Sequence, residues 1–204
     1  MDAALVELVQ DIVAGAARKL PHVVATFFDN RGTEIALDRK DERLSSTGSN
    51  RGLVLSIFNG EYFEEFATDR FDKDYITEFC RSALNSVVVK KTEHRLEPAT
   101  QGNASFKTTE QVDPDNIPLT EKLDLFRARR ARLLRGKNVV NCTIRHSEEL
   151  TMKTFVSFHG TIDEAIRRIS HSAVVYVSDG QDLKYDFLIR GGTGGMELID
   201  VPDS

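Results

Sequence analysis

The chain has 204 residues, of which 40% are hydrophobic and 29% are charged, and its formal net charge is −5. This length can bury one large or two small hydrophobic cores, and no apolar run approaches the roughly 20 residues of a membrane-spanning helix. A chain with net negative charge also creates no general attraction for nucleic acid. We therefore expect a globular protein that has neither a membrane nor a nucleic acid as its partner.

The chain begins with an amphipathic pattern. Residues 2–19 carry apolar side chains from Leu5 to Ala16 at the helical period, and Pro21 is expected to end this helix. Acidic residues such as Asp2 and Glu7 argue against a secretion signal, which begins with a basic segment. The pattern predicts an opening helix in a cytoplasmic protein.

Short strands are predicted after this helix. Residues 23–28 form an apolar, β-rich run, residues 29–32 (DNRG) have the composition of a turn, and residues 33–37 alternate weakly. A second polar turn is expected near residues 39–41. These signals predict two short strands separated by a turn.

The strongest hairpin signal in the chain is Asn59-Gly60. It follows an alternating strand at residues 53–57 and precedes a return strand at residues 61–67. Asp72 is then well placed to cap a helix whose apolar residues recur at the helical period. The first half of the chain is therefore predicted to be a helix, an antiparallel meander and a second helix.

The composition changes at residues 98–116, which are rich in small and polar residues and contain almost no large apolar ones. This segment is predicted to be a linker or a long surface loop. Beyond it, Pro118 precedes a helical pattern that Gly136 is expected to end. Four strands are predicted after that helix, at residues 139–145, 152–158, 166–177 and 185–189.

Both halves thus show a helix and strands that meet through short turns. We predict an α+β fold with two helix-plus-antiparallel-meander units, since the regular βαβ alternation of a doubly wound sheet is missing. The predicted boundaries are residues 1–97 for the first unit, 98–116 for the linker and 117–204 for the second unit. The pattern leaves open whether these units form one domain or two.

The five histidines do not form a recognisable metal motif. None lies in H-E-x-x-H, and no pair has a helical ligand spacing. His146 and His159 flank a predicted hairpin and could approach each other, but a third ligand is not evident, so a structural role is favoured. His171 lies on an alternating apolar face, where a buried and hydrogen-bonded histidine is expected. The set comprises His22, His94, His146, His159 and His171.

Three further features have structural interpretations. Cys80 and Cys142 are expected to be buried thiols of a reducing compartment rather than a disulfide. Glycine-rich residues 191–195 lack the Gly-Lys-Ser/Thr of a phosphate loop, so a sharp turn or close packing is expected there. A cluster of arginines on the second-half helix is expected to be a solvated face rather than a nucleic-acid patch; it comprises Arg127, Arg129, Arg130, Arg132 and Arg135.

No catalytic motif is present. The serines lack a G-x-S-x-G elbow, and no acid pair can be assigned a role without evidence of burial. We therefore predict no catalytic and no metal-binding residue in this chain, and we assign no substrate-binding residue.

Four segments of the first half follow one another in a particular order. They are residues 33–37 (TEIAL), 42–44 (ERL), 51–62 (RGLVLSIFNGEY) and 72–76 (DKDYI). This order resembles the amino-terminal domain of the TldD/PmbA family, also called modulators of DNA gyrase. In that family an extended segment precedes an Arg-Gly strand and hairpin, and a helix follows.

The resemblance covers nearly the whole chain. Residues 117–122 (IPLTEK) resemble the start of the family's second helix, and residues 155–160 (FVSFHG) resemble its next hairpin. Residues 186–198 (DFLIRGGTGGMEL) resemble the glycine-rich passage before the catalytic domain, more as in TldD than as in PmbA (TldE). The chain departs from the pattern at His159 and at residues 61–66.

The resemblance implies the non-catalytic portion of a cytoplasmic zinc metallopeptidase subunit. A full-length protein would continue past Ser204 into a domain with an H-E-x-x-x-H helix, where zinc would activate water. This chain would supply no cofactor ligand, and alone it would be inactive. Its implied partners are a homologous TldD/TldE-type subunit, in a homo- or heterodimer, and an unfolded peptide substrate. The alternative is a stand-alone binding or scaffold protein of the same fold.

Overall fold

The fold is taken from a computed structural model, which describes residues 2–91 and 102–199. Within these residues the chain forms three α-helices, seven β-strands and two short 3₁₀ helices at Pro114–Asn116 and Met196–Leu198. In chain order the main elements are α1 (Ala3–Ala16), β1 (His22–Leu37), β2 (Glu42–Phe58), β3 (Phe63–Thr68), α2 (Lys73–Ser86), β4 (Ala104–Lys107), α3 (Leu119–Leu133), β5 (Val139–Ser157), β6 (Gly160–Ser178) and β7 (Leu183–Thr193).

The strands pair in the order β3-β2-β1-β5-β6-β4, and β7 also pairs with β6. Strands β2 and β3 are antiparallel with Phe58 opposite Phe63, and β6 and β7 are antiparallel with Ser178 opposite Leu183. The short strand β4 is the exception, because it runs parallel to β6. The predicted α+β fold with a mainly antiparallel sheet is therefore confirmed.

Two compact units can be distinguished. The first comprises the described residues within 1–30, 49–107 and 151–165, and the second comprises those within 31–48, 108–150 and 166–204. The units are interleaved in sequence because β1, β2, β5 and β6 each contribute residues to both. The sequence-based division at residues 98–116 stays a prediction about domain boundaries.

The first unit has an apolar core between its helices and its strand segments. Helices α1 and α2 contact each other and bury Val9, Val13 and Ile76 against strand residues such as Phe27 and Leu55. The predicted cap of α2 is present, since the Asp72 carboxylate accepts a hydrogen bond from the Tyr75 amide at 3.0 Å. The predicted first helix and the capped second helix are thus confirmed.

The second unit packs α3 against one face of its sheet. Phe126 of α3 is fully buried among Ile35, Cys142 and Ile144. Lys122, one turn earlier on the same helix face, is buried as well, because residues four apart on a helix lie above one another. A charged side chain therefore enters this core beside the apolar ones.

Two predicted strand breaks are wrong. Residues 29–32 do not form a turn but continue β1, and the predicted strands 139–145 and 152–158 are a single strand, β5. In both places a polar residue occupies an inward position: Asp29 is buried in β1, and Glu148 is buried in β5. In the sequence, such a polar residue interrupts the alternating apolar pattern and indicates a turn, although each of the two has a partner inside the protein.

The predicted linker has structure of its own in the part that can be described. Residues 104–107 form β4, and the 3₁₀ helix Pro114–Asn116 follows it. The composition of the segment gave little sign of a strand, because Phe106 is the only large apolar residue in β4. Residues 98–101 of the predicted linker, and His94, lie outside the described residues.

Candidate functional site

The first unit contains a cleft with a volume of about 480 Å³. Helix α1 supplies Val6 and Gln10 to its wall, and strand β4 supplies three consecutive residues, 105–107. Residues of β5 and β6, among them Thr154 and Asp163, complete the lining. The cleft therefore lies along a short strand at one end of the sheet order.

Strand β4 is fixed in place by its neighbours. Its register on β6 runs from Ala104 opposite Ile162 to Lys107 opposite Ala165. Just before the strand, the Gly102 amide donates a hydrogen bond to the His159 carbonyl at 2.9 Å. Next to it, the Asn103 side chain accepts one from the Thr161 amide at 2.9 Å. These contacts hold a four-residue strand that has little apolar surface to bury.

A glycine is required at this attachment. Gly160 has a φ of 142°, and a side-chain carbon built there would lie 2.3 Å from the Gly102 carbonyl oxygen. Only glycine permits so close an approach of two backbones. The two glycines therefore allow the segment before β4 to reach β6.

Among the described strands, none pairs with the second edge of β4. In the part of the chain that the structure describes, β4 pairs with β6 and with no other strand. Its Phe106 side chain is 60% exposed and lines the cleft. An exposed strand edge with an accessible aromatic side chain is a surface to which an extended chain can add.

The cleft carries charges of both signs. Its acidic residues are Glu7, Asp29, Asp163 and Glu164, and its basic residues are Lys107 and Lys153. Two of the acids are held internally: Asp29 accepts a hydrogen bond from the Ser49 hydroxyl at 2.7 Å, and Asp163 accepts one from the Thr154 hydroxyl at 2.6 Å. The lining is therefore mixed, with an excess of carboxylates.

A second polar site is buried in the second unit. The Lys122 ammonium group donates to Glu148 Oε2 at 2.7 Å, and His146 Nε2 lies 2.9 Å from Glu148 Oε1. All three side chains are at most 5% exposed. Burial by itself would raise the pKa of Glu148, but the hydrogen bonds from His146 and Lys122 outweigh it, so this pKa lies below its ordinary value.

The remaining polar groups of this site continue around Phe126. The Phe126 ring lies beside both His146 and His171, with ring centroids 4.6 and 5.1 Å away, and the centroids of the two imidazole rings are 5.9 Å apart. His171 Nε2 is 3.1 Å from an Arg129 nitrogen, and Arg129 also donates to the Ile199 carbonyl at 2.9 Å. The predicted burial and hydrogen bonding of His171 are confirmed.

The strand break expected between His146 and His159 is absent. No hairpin separates them, since His146 lies in the middle of the continuous strand β5 and His159 lies in the turn after it. His159 instead lines a small cavity of the first unit together with His22. Burial and the nearby His159 both lower the pKa of His22.

The arginine-rich helix is engaged with the protein itself. Arg127 donates to Glu42 at 2.5 Å and to Asp124 at 3.0 Å, and Arg130 donates to the Cys142 carbonyl at 2.8 Å. These contacts use groups that a nucleic-acid phosphate would need. They support the interpretation of α3 as a structural helix.

The cysteines and the glycine-rich segment have the expected structural roles. Cys80 and Cys142 are both free and buried, and burial raises the pKa of Cys80 to about 11. A side-chain carbon at Gly195 would lie 2.1 Å from the Val112 carbonyl oxygen, and one at Gly191 would lie 2.5 Å from the Ile169 carbonyl oxygen. Close packing therefore requires glycine at both positions.

A metal centre does not fit the described residues. Within the described residues, 2–91 and 102–199, no three His, Cys, Asp or Glu side chains form a group that could hold a metal ion. The zinc implied by the family resemblance thus has no ligand set in this part of the chain. In the same ranges, no helix is long and apolar enough to cross a membrane.

Comparison with known proteins places the fold in a class. No family model and no curated protein matches the sequence. Among solved structures, the chain is similar to TldD/PmbA-type proteins, so the predicted resemblance is confirmed at the level of the fold. Identities of 9–14% carry the likeness no further than the fold.

Three of these structures define the likeness. A candidate modulator of DNA gyrase from Thermotoga maritima has a TM-score of 0.70 and 14% identity over 96% of this chain and 44% of its own. A candidate modulator of DNA gyrase from Bacteroides thetaiotaomicron has a TM-score of 0.66 and 12% identity over 92% and 45%. TldE from Thermococcus kodakarensis has a TM-score of 0.59 and 9% identity over 90% and 43%. The chain therefore spans less than half the length of each.

Proposed function

We propose that this chain is the amino-terminal, non-catalytic portion of a cytoplasmic TldD/PmbA-type zinc metallopeptidase subunit. It would contribute to the assembly of a dimer with a homologous TldD/TldE-type subunit and admit an unstructured peptide substrate. The observation that supports this proposal most strongly is the shared fold over at least 90% of the chain and less than half of each similar structure. Zinc and the hydrolytic step would belong to residues outside this chain.

The cleft beside β4 is the proposed site of peptide admission. An extended peptide that adds to the open edge of β4 would form backbone hydrogen bonds without any requirement for a particular sequence. Phe106 would contact its side chains, and α1 would form the opposite wall. Such a site selects chains that are already extended, because a folded segment has no free backbone groups to offer.

The charges of the cleft predict a preference among peptides. Four carboxylates face two lysines in the lining, so we expect a peptide with net positive charge to bind more tightly than its acidic counterpart. Exposed charges interact weakly and are screened by salt within about 10 Å at 0.1 M ionic strength. The preference should therefore shrink as salt is added, whereas the backbone contribution should remain.

A peptide titration with a matched pair of variants tests this assignment. We would measure the fluorescence anisotropy of a labelled, unstructured peptide of about 15 residues with the wild-type chain, with Phe106→Ser and with Phe63→Ser. Phe63 is also an exposed phenylalanine on a terminal strand of the sheet order, and it is 50% exposed. We expect weaker binding for Phe106→Ser alone.

Equal loss in both variants, or no binding by the wild-type chain, would contradict peptide admission at β4. The stand-alone binding protein is distinguished by the natural reading frame. A stop codon directly after Ser204 would favour that alternative, and a continuation that encodes H-E-x-x-x-H would favour the peptidase subunit.

A further inference from the structure

A small cavity of the first unit brings two histidines together. It has a volume of about 210 Å³, and its wall contains both His22, the first residue of β1, and His159, in the turn between β5 and β6. Neither histidine takes part in the peptide contacts proposed for the cleft. The rest of the lining is apolar apart from one serine and consists of Ala17, Pro21, Val23, Val24, Phe155, Ser157 and Phe158.

The cavity offers the two imidazole rings no counter-ion. Among the described residues that line it, His22 and His159 are the only titratable ones. The chain that leaves α1 beside the cavity continues into two exposed cations, Arg18 and Lys19. Two imidazolium ions would therefore share this space without a carboxylate to balance them.

Strand β3 contacts His22 without supplying a charge. The Phe63 ring meets the His22 ring edge-on, with centroids 6.1 Å apart. Glu64, the next residue of β3, lies on the other face of the strand, because successive side chains of a strand alternate. Its carboxylate accepts a hydrogen bond from Asn59 Nδ2 at 2.9 Å.

The environment of His22 disfavours its charged form. Burial and the nearby His159 both lower the pKa of His22. Such a group binds its proton more readily in any arrangement that exposes it to water. The arrangement with both rings in the cavity therefore loses stability, relative to an open one, as the pH falls below the ordinary histidine value of 6.5.

The turn that carries His159 also holds β4. The His159 carbonyl accepts a hydrogen bond from the Gly102 amide at 2.9 Å, and the Thr161 amide donates one to Asn103 Oδ1 at 2.9 Å. The Ser157 hydroxyl accepts one from the His159 amide at 3.2 Å, which ties the turn to the end of β5. These attachments matter because β4 has four residues and, among the described strands, pairs only with β6.

We infer that His22 and His159 form a proton-operated switch that loosens β4 and weakens peptide binding in the cleft beside it. This inference rests on the peptide cleft of the proposed function and adds its regulation. With both rings neutral, the hydrogen bonds of Gly102 and Asn103 hold β4 on β6. With both rings protonated, their repulsion displaces His159, which is the exposed member of the pair, and the bond between its carbonyl and Gly102 is lost.

Peptide affinity as a function of pH tests the inference. The probe is an unstructured peptide with an acetylated amino terminus, no histidine and a rhodamine label, so that it carries no group that titrates between pH 8 and pH 5.5. One linked proton changes an equilibrium by up to about tenfold per pH unit. We expect the dissociation constant of the wild-type 204-residue chain to rise about threefold or more from pH 8 to pH 5.5, by fluorescence anisotropy.

Glutamine variants remove the histidines one at a time and keep a polar side chain. We expect His22→Gln to bind as tightly as the wild type at pH 8 and to retain this affinity at pH 5.5. His159→Gln should reduce the pH dependence without abolishing it, because burial alone still disfavours the charged form of His22. Lys19→Gln is the matched control, since an exposed lysine stays charged over this range, and it should leave the pH dependence unchanged.

Hydrogen exchange, measured by mass spectrometry, follows β4 without a peptide. After correction for the intrinsic pH dependence of exchange, we expect residues 102–107 to lose protection from pH 8 to pH 5.5 in the wild type and to keep it in His22→Gln. Residues 53–58 of β2 are the internal control, because their alternate side chains are buried in the core of the first unit. Their protection should not change.

Equal peptide affinity at both pH values, or the same pH dependence in His22→Gln as in the wild type, would overturn the switch. Unchanged protection of residues 102–107 in the wild type would overturn it as well. Absent peptide binding at pH 8 would instead contradict the proposed cleft. In that case the exchange data alone decide whether protonation of the two histidines loosens β4.

Discussion

The cores of the two units contain different kinds of side chains. The first unit fills its core with apolar side chains from two helices and several strand segments, and its polar residues gather around an open cleft. Among the described residues, the second unit has one α-helix and buries charged groups as well as apolar ones, among them Lys122, Glu148 and Arg167. A buried charge requires a partner. The stability of the second unit therefore depends on particular ion pairs, whereas the stability of the first depends on how well apolar side chains fill its core.

The largest expected effect is the loss of one member of the buried pair. Lys122→Met leaves Glu148 in the core without its cationic partner, and removal of one partner of a buried ion pair costs about 3–5 kcal/mol of unfolding free energy. Urea denaturation, monitored by circular dichroism, measures this change in unfolding free energy. The double variant Lys122→Met/Glu148→Met should recover most of this loss, and a single variant that costs less than about 1 kcal/mol would refute the dependence on pairing.

The first unit should respond as an ordinary apolar core. Leu55 is fully buried in β2, and Leu55→Ala should lower the unfolding free energy by about 2–5 kcal/mol through lost burial and a cavity. A second substitution beside Leu55 should not restore the lost unfolding free energy in the way that the double variant restores it at the ion pair. If a second substitution recovered the unfolding free energy equally in both units, the proposed difference between the two cores would be wrong.

A helix cap of the first unit should have a smaller effect. The Asp72 carboxylate accepts the hydrogen bond of the Tyr75 amide, and loss of such a cap costs about 1 kcal/mol. We expect Asp72→Ala to lower the unfolding free energy by this amount. Asp69→Ala, a change at an exposed position before the helix, should leave it nearly unchanged in the same urea titration.

Part of the loss of stability at acid pH should come from Glu148 in the second unit. The folded-state pKa of Glu148 lies below its ordinary value of 4.5, so the folded state favours the carboxylate. Its stabilising contribution is therefore present above pH 4.5 and is lost as the pH falls through the lower folded-state pKa. The effect should be modest, because burial opposes the two hydrogen bonds.

Urea titrations between pH 6 and pH 3 measure this contribution, and we expect Glu148→Gln to flatten the decline relative to the wild-type chain. Glu149→Gln is a suitable control, because Glu149 is the adjacent but exposed residue of β5. Identical pH profiles for the wild type and Glu148→Gln would show that the buried carboxylate is not responsible.

Thiol labelling can compare the opening of the two units with the least perturbation. Cys80 belongs to the core of the first unit and Cys142 to that of the second. Burial raises the pKa of both thiols, and the thiolate is the reactive form. We expect slow labelling of both at pH 8, with mass spectrometry of the peptides giving a separate rate for each. Rapid labelling of either would show that its core opens readily.

The same contrast explains how far the sequence could be interpreted. In the first unit, local signals were sufficient: Asn59-Gly60 precedes β3 and Asp72 caps α2, as predicted. Each of these signals acts through neighbouring residues, so no knowledge of distant partners is needed. Two exceptions in this unit are Asp29, whose partner Ser49 is 20 residues away and whose strand was predicted to be a turn, and β4, which was predicted to be part of a linker.

In the second unit, the important contacts are distant in sequence. His146 and Glu148 interrupt the alternation of β5, and only the position of Lys122, 26 residues earlier, explains their burial. The cleft was missed for a related reason, because β4 is held by backbone contacts to residues about 58 positions away. A strand with one large apolar side chain gives almost no signal of its own. Strand β7 was predicted at residues 185–189, but the direction of its apolar side chains was not.

The zinc content of the purified 204-residue chain tests the central claim most directly. After the chain is loaded with zinc and dialysed, elemental mass spectrometry gives the ratio of metal to protein, and a labelled peptide reports hydrolysis in the same sample. We predict substoichiometric zinc and no hydrolysis, together with peptide binding that Phe106→Ser weakens. One tightly held zinc ion per chain, bound by its own imidazole or thiolate groups, would contradict the account.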